Sequence, residues 1–202
     1  MLLYLVRHGE TDWNRDHRIQ GLSDIPLNDT GREQAAATGR LLRRRSWDAV
    51  ITSPLSRAFE TGSIIARELG LPTPSTDGAL VERNYGEAEG LDWEEVRRRF
   101  PDEAHVPGRE SRRQVADRVM PALLAVARTY EGRAVVVVSH GGVIRTVLNE
   151  LEPGNAFEAI TNGSVHSFRY ADGALSLIAF DDPIEELSER GEPLAVQNPA
   201  EA

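Results

Sequence analysis

The stretch Leu2-Leu3-Tyr4-Leu5-Val6-Arg7-His8-Gly9-Glu10-Thr11-Asp12-Trp13-Asn14 opens as an apolar run and then turns abruptly basic. Leu2 to Val6 reads as a short buried strand, one that shows continuous apolar residues rather than alternation. An arginine fused to a histidine at the end of such a strand is a poor structural choice, because burying either charge is costly unless it is paired. It is a good choice for holding a phosphate beside a nucleophile.

Outward from this run, apolar segments alternate with helical patterns. Ala49–Ile51 and Val135–Val138 read as two further buried strands. A helix is expected from Thr30, with Glu33 completing a Thr-x-x-Glu capping box, to about Arg43. A second is expected from Ser53-Pro54, a serine cap with proline in the first turn, to Leu69 before Gly70. A third begins at Ser111 with Gln114 in the box position and sets Val115, Val119, Leu123 and Val126 on one face. Arg97, Arg98 and Arg99 lie on a short helix before Phe100-Pro101. Ser164–Tyr170 and Ala174–Phe180, joined across Asp172-Gly173, read as a hairpin at a sheet edge. The expected fold is α/β: a three-layer α/β/α sandwich with a mostly parallel central sheet and an antiparallel edge hairpin. It forms one catalytic domain over 1–180, and 181–202 is read as a loose acidic tail containing proline.

Composition narrows the chemistry. The 202 residues suffice for one core without staples. Cysteine is absent, which excludes disulfides, thiolate metal sites and a cysteine nucleophile. The opening apolar run is too short for a signal peptide and no stretch approaches a membrane span, so a cytoplasmic protein is expected. Net charge is -9 and all 23 basic residues are arginine. An acidic surface disfavours nucleic acid and anionic membrane as partners and makes an anionic substrate depend on a local arginine cluster. Arginine suits that task, its planar fork gripping phosphate oxygens in pairs. The expected partner is a small phosphorylated metabolite, and the protein is expected to be a monomer or a homodimer.

Four segments deliver polar groups to the carboxyl edge of the sheet, where open α/β sheets bind ligands. They are Arg7-His8 after the first strand, Arg57 early in the next helix, Glu82 in Leu80-Val81-Glu82-Arg83-Asn84-Tyr85-Gly86, and His140 in Ser139-His140-Gly141-Gly142. The last leads into a helix whose N-terminus favours an anion. In this reading His8 attacks phosphorus and is transiently phosphorylated. Arg7, Arg57 and His140, with Asn14 as a neutral donor, hold the non-bridging oxygens. Glu82 protonates the leaving alkoxide and then activates water. His8 must be neutral, which two neighbouring arginines favour, and Glu82 must hold a proton when substrate arrives. No metal is called for: zinc on His8, His140 and Glu82 would be opposed by the adjacent arginines. His17, His105 and His166 read as ordinary structural histidines. Arg97–Arg99 and Arg112-Arg113 read as solvated faces, the other option being a lid. Trp13 and Trp93 read as core packing, the other option being the pocket rim.

These motifs, in this order, resemble those of the histidine phosphatase (phosphoglycerate mutase-like) superfamily. The likeness runs from Leu2 to about Tyr170 and includes Leu27-Asn28-x-Thr30-Gly31-x-x-Gln34-Ala35 and Glu110-Ser111. It implies phosphorylation of His8, a phosphate pocket of Arg7, Arg57 and His140, and Glu82 as the acid. Asn14 and the Gln20-Gly21 pair match further substrate contacts, and Arg83 and Gly141 are also expected to bind substrate. The superfamily's cofactor-dependent mutases carry a longer insertion supplying lysine and arginine contacts before the Glu-Ser stretch. Here 27 residues separate Glu82 from Glu110 and lysine is absent. That departure implies a phosphatase of small phosphate monoesters without a cofactor. The alternatives are a mutase interconverting 2- and 3-phosphoglycerate, with 2,3-bisphosphoglycerate as cofactor, and a non-catalytic binder of phosphorylated ligands.

Overall fold

A computed structural model describes residues 1–101 and 105–182. Most of the tail expected over 181–202 lies outside the described residues. Six strands form one sheet: β1 (Leu2–Arg7), β2 (Ala49–Thr52), β3 (Ser75–Thr76), β4 (Ala134–Ser139), β5 (Val165–Ala171) and β6 (Ala174–Ala179). Their order is β3-β2-β4-β1-β5-β6, with β1 to β4 parallel and β5 and β6 antiparallel. The turn between β5 and β6 is Asp172-Gly173, both at positive φ as a tight hairpin demands. The sandwich expected from sequence is therefore present, with the two-residue strand β3 added to it.

Helices α2 (Asp29–Leu42) and α3 (Ser56–Leu69) cover one face of the sheet; α5 (Arg112–Thr129) and α6 (Gly141–Leu151) cover the other. Strand alternation feeds both layers. Leu2, Tyr4, Val6, Val136 and Val138 pack with Leu42, Ala58 and Ile65. Leu3, Leu5, Val135 and Val137 pack with Val115, Val119, Leu123, Val126 and Leu148. Burial on both faces explains why β1 and β4 read as unbroken apolar runs. Helices α1 (Asp12–Arg15) and α4 (Trp93–Arg99) are short and lie in connections. Among the described residues no helix is long and apolar enough to cross a membrane.

Two helix starts differ from the sequence expectation. α2 is capped by Asn28, whose Oδ1 accepts from the Gly31 N–H at 2.8 Å, so Thr30 lies inside the first turn. α3 begins at Ser56 with no side-chain cap. The Ser53 hydroxyl is engaged across the sheet edge by His140 at 2.8 Å. At α3 this contact takes up the hydroxyl that would have capped the helix, and Leu55 stands at the N-cap position instead. The Ser111–Gln114 capping box forms as expected.

His166 lies fully buried on β5, where its Nδ1 accepts from the Asp181 N–H at 3.0 Å. Burial and Arg145 push its pKa down to about 4, so the folded state holds the neutral ring. Unfolded histidine titrates near 6.5, so the unfolded chain binds the extra proton between those values. The stability this group confers is complete above about pH 6.5 and is lost as pH falls towards 4, about 3 kcal/mol in all. Melting temperature should fall over that interval, and His166→Gln should flatten the fall; an unchanged slope would contradict this assignment.

Candidate active site

Residue 8 continues the sheet edge: its N–H donates to the Ser139 carbonyl at 3.0 Å. Gly9 then passes so close to Gly31 that a Cβ would overlap the Gly31 carbonyl oxygen. This tight turn places the His8 Nδ1 2.7 Å from the Gly9 carbonyl oxygen. A carbonyl only accepts, so Nδ1 carries the proton and Nε2 presents its lone pair. His8 is buried, and burial with the adjacent Arg57 and Arg7 holds its pKa well below the ordinary value. The ring is neutral at physiological pH.

Arg57, fully buried near the start of α3, donates to the Ser23 carbonyl at 2.9 Å and the Gly21 carbonyl at 2.8 Å. Arg7 donates to the Ile160 carbonyl at 2.6 Å. Each keeps a buried Nε–H without a hydrogen-bond partner, and among the described residues neither forms an ion pair. Burial lowers both pKa values, yet guanidinium remains charged. Two guanidiniums, Arg57 fully buried and Arg7 half-buried, held by carbonyls and with a buried Nε–H left over on each, suit an anion. Gly21 sits at φ +56°, where a Cβ would overlap the Glu89 carboxylate that ties down the backbone N–H groups of Leu22 and Ser23.

His140 ends β4 and lies beneath His8, ring centroids 5.1 Å apart. Its Nε2 meets the Ser53 hydroxyl, its Nδ1 has no partner, and burial beside Arg57 holds it neutral. Asn14 closes a capping box on Thr11. Its Oδ1 accepts from the Thr11 N–H and from Asn162 Nδ2, each at 3.2 Å, which leaves its own amide hydrogens for a ligand. Gln20 Oε1 accepts from the Thr11 hydroxyl at 3.0 Å.

Glu82 lies outside regular structure. One carboxylate oxygen accepts from the Arg83 N–H at 2.8 Å and the other from the Gly142 N–H at 3.0 Å. A Cβ on Gly142 would come within 2.6 Å of that carboxylate and push it out of place, so glycine leaves the carboxylate its position. The segment is fixed from behind by Arg118 on α5. Its guanidinium donates to the carbonyls of Ala79, Val81 and Glu82 at 2.6, 2.8 and 3.0 Å and grips Glu110 with two bonds at 2.8 and 3.0 Å.

A cleft of about 790 Å³ gathers these groups: Arg7, His8, Asn14, Gln20, Gly21, Arg57, Glu82 and Gly141 line it. His140 lies below its floor. Arg83 is not among the lining residues; it donates to the Glu110 carbonyl at 2.6 Å and lies over the Tyr85 ring. Arg98 and Arg99 pair with Glu95 on an exposed helix face, as a solvated charge run does. Trp93 is corrected from core to cleft wall: it lines the cleft and is 45% exposed. His17, read as an ordinary structural histidine, also lines it, at φ 56°. Arg118 and Asn162 carry no signal in the sequence analysis, and Tyr85, named there within the Glu82 stretch but given no role, has its hydroxyl pushed up to about 12 by burial. Among the described residues no group of three or more histidine or carboxylate side chains is placed to hold a metal.

The chain is similar to known proteins. The uncharacterized phosphatase PhoE of Bacillus subtilis is 42% identical over 176 residues, spanning 87% of this chain and 86% of its own. A metal-independent phosphoserine phosphatase of Arabidopsis thaliana is 34% identical over 94% of this chain and 84% of its own. A 2,3-bisphosphoglycerate-dependent phosphoglycerate mutase of Parvibaculum lavamentivorans is 31% identical over 90% and 91%. The solved structure of Bacillus stearothermophilus YhfR superposes with TM-score 0.83 at 28% identity, covering 90% of this chain and 96% of that one. Residues 3–183 match the histidine phosphatase superfamily (branch 1), and the chain belongs to that family.

Proposed function

We propose that the protein is a metal-independent phosphatase of small phosphate monoesters. The observation that carries this reading is the His8 ring: its proton is pinned on Nδ1, its Nε2 lone pair is left open, and the guanidiniums of Arg57 and Arg7 stand beside it. Phosphate oxygens complete the two free Nε–H donors and the Asn14 amide. Nε2 attacks phosphorus in line; the N–P bond forms as the P–O bond to the alcohol breaks. The guanidiniums stabilise the charge that builds on the equatorial oxygens. Glu82 gives its proton to the departing alkoxide. A water then enters, Glu82 takes a proton from it, and the oxygen attacks phosphorus to release phosphate and restore His8.

Arginines supply the positive charge that a metal supplies elsewhere, and the similar Arabidopsis phosphatase is named metal-independent. The open 790 Å³ cleft and the short 27-residue connection from Glu82 to Glu110 support hydrolysis over mutase chemistry, since a mutase must hold its product against water. A phosphorus NMR time course on 3-phosphoglycerate and p-nitrophenyl phosphate, with EDTA and a trace of 2,3-bisphosphoglycerate, tests the reading. Growth of inorganic phosphate is expected. Accumulation of 2-phosphoglycerate without phosphate makes the protein a mutase, and arrest by EDTA overturns the metal-free mechanism.

Arg118 contributes by fixing three carbonyls around Glu82. Lysine cannot reproduce a five-donor fork. Arg118→Lys should therefore slow alkyl phosphates by about 10²-fold, the penalty of a misplaced catalytic group. It should slow the phosphorylation step with p-nitrophenyl phosphate, read from the burst, much less, because its phenolate needs little protonation; equal losses in that step would point to general disruption.

A further inference from the structure

Beside its phosphate-binding groups the cleft also carries apolar lining residues. Ile19, Trp93, Ala159 and Ile160 line it. Ile19 stands on a hydrophobic cluster apart from the two sheet cores, with Ala88, Val96 and Val106 and with Tyr85, Leu91 and Phe100 packed against them, whereas Ile160 belongs to the core beneath α5 and α6. Two backbone hydrogen bonds, Ile19 N–H to the Leu91 carbonyl at 2.9 Å and Gly90 N–H to the Ile19 carbonyl at 2.7 Å, rivet the loop before α4 to the segment after α1. Val96 on α4 plugs into the cluster, and Trp93, one turn earlier on nearly the same face, extends that face past the cluster's edge to the cleft.

Leu22 and Trp93 are the large apolar side chains left open among the described residues, and Trp93 is the more exposed. A tryptophan mounted on a fixed wall, left wet and facing the space next to the phosphate-binding groups, lacks its apolar partner. We infer that Trp93 and Ile19 form a subsite for the alcohol portion of the substrate, one that takes a flat apolar group, an aryl or arylalkyl moiety, stacked on the indole while the phosphate rests on Arg7 and Arg57. The occupant is the ester's own leaving group, because wall and phosphate site line one continuous cleft.

This inference rests on the phosphatase reading and is tested with two esters whose leaving alcohols have similar acidity, 3-phenylpropyl phosphate and propyl phosphate. Their kcat/KM ratio isolates the ring from the chemistry. The protein is expected to favour the arylalkyl ester by about tenfold or more. Trp93→Ala should bring the ratio within about twofold of one, and Trp93→Phe should keep part of the preference. A ratio near one in the unaltered protein overturns the subsite, as does a ratio unmoved by Trp93→Ala or an equal loss on both esters. If neither ester nor p-nitrophenyl phosphate is hydrolysed, the phosphatase reading falls first, and the subsite with it.

Discussion

Replacing His8 by alanine is expected to reduce turnover of phosphate monoesters by at least about 10⁴-fold, the scale on which loss of a covalent nucleophile acts. Water admitted to the vacated space has neither the fixed position nor the lone pair that the Gly9 carbonyl secures for Nε2. Binding should outlast catalysis. Arg7 and Arg57 take their places from the carbonyls of Ile160, Ser23 and Gly21, none of which depends on His8. Calorimetric titration with inorganic phosphate should therefore still report uptake by the variant. Rapid quench with radiolabelled substrate should trap a base-stable, acid-labile phosphoenzyme in the parent protein and none in His8→Ala. Turnover within tenfold of the parent would remove His8 from the nucleophile's role. Loss of phosphate binding together with turnover would leave the histidine's part in chemistry unproven and place it in the binding of the anion.

What the sequence discloses and what it hides divide along a physical line. β1 and β4 were legible because burial on both faces leaves a nearly unbroken apolar run, mostly Leu and Val, and the residues that follow it inherit the strand's direction. Arg7, His8 and His140 could thus be placed at one sheet edge without coordinates. Glu82 was legible through its motif, but its hold was not: Arg118 sits on the polar side of α5, where periodicity marks only the apolar face. Asn162 lies in the turn before β5, and no spacing signals that its amide reaches the His8 carbonyl and Asn14. The caps misled for a related reason. Ser53 and Thr30 both have the chemistry of an N-cap, and only the folded chain shows that one hydroxyl is engaged by His140 and that Asn28 takes the cap ahead of the other. Trp93 misled in the opposite sense, since a large apolar residue in a short helix reads as core unless the cleft beside it is seen.

Glu82→Gln should produce a loss that depends on the leaving group. A glutamine preserves size and one accepting oxygen but has no proton to give to an alkoxide. It also turns an N–H donor towards either the Arg83 or the Gly142 N–H, breaking one of the two bonds that orient the carboxylate. That distortion weakens every substrate alike. The missing proton weakens only those whose leaving oxygen must be protonated, which separates the two effects. Propyl phosphate should slow by about 10²- to 10⁴-fold, the usual worth of general acid catalysis. p-Nitrophenyl phosphate should slow by less than about tenfold in its phosphorylation step, since its phenolate departs unaided. Dephosphorylation of His8 also calls on Glu82 as base, so the slow step for the nitrophenyl ester should shift to hydrolysis. A burst of nitrophenolate equal to the enzyme concentration should then precede slow steady turnover. Equal losses on both esters with no burst would mean that Glu82 shapes the cleft without moving a proton, and the acid would have to be sought elsewhere along it.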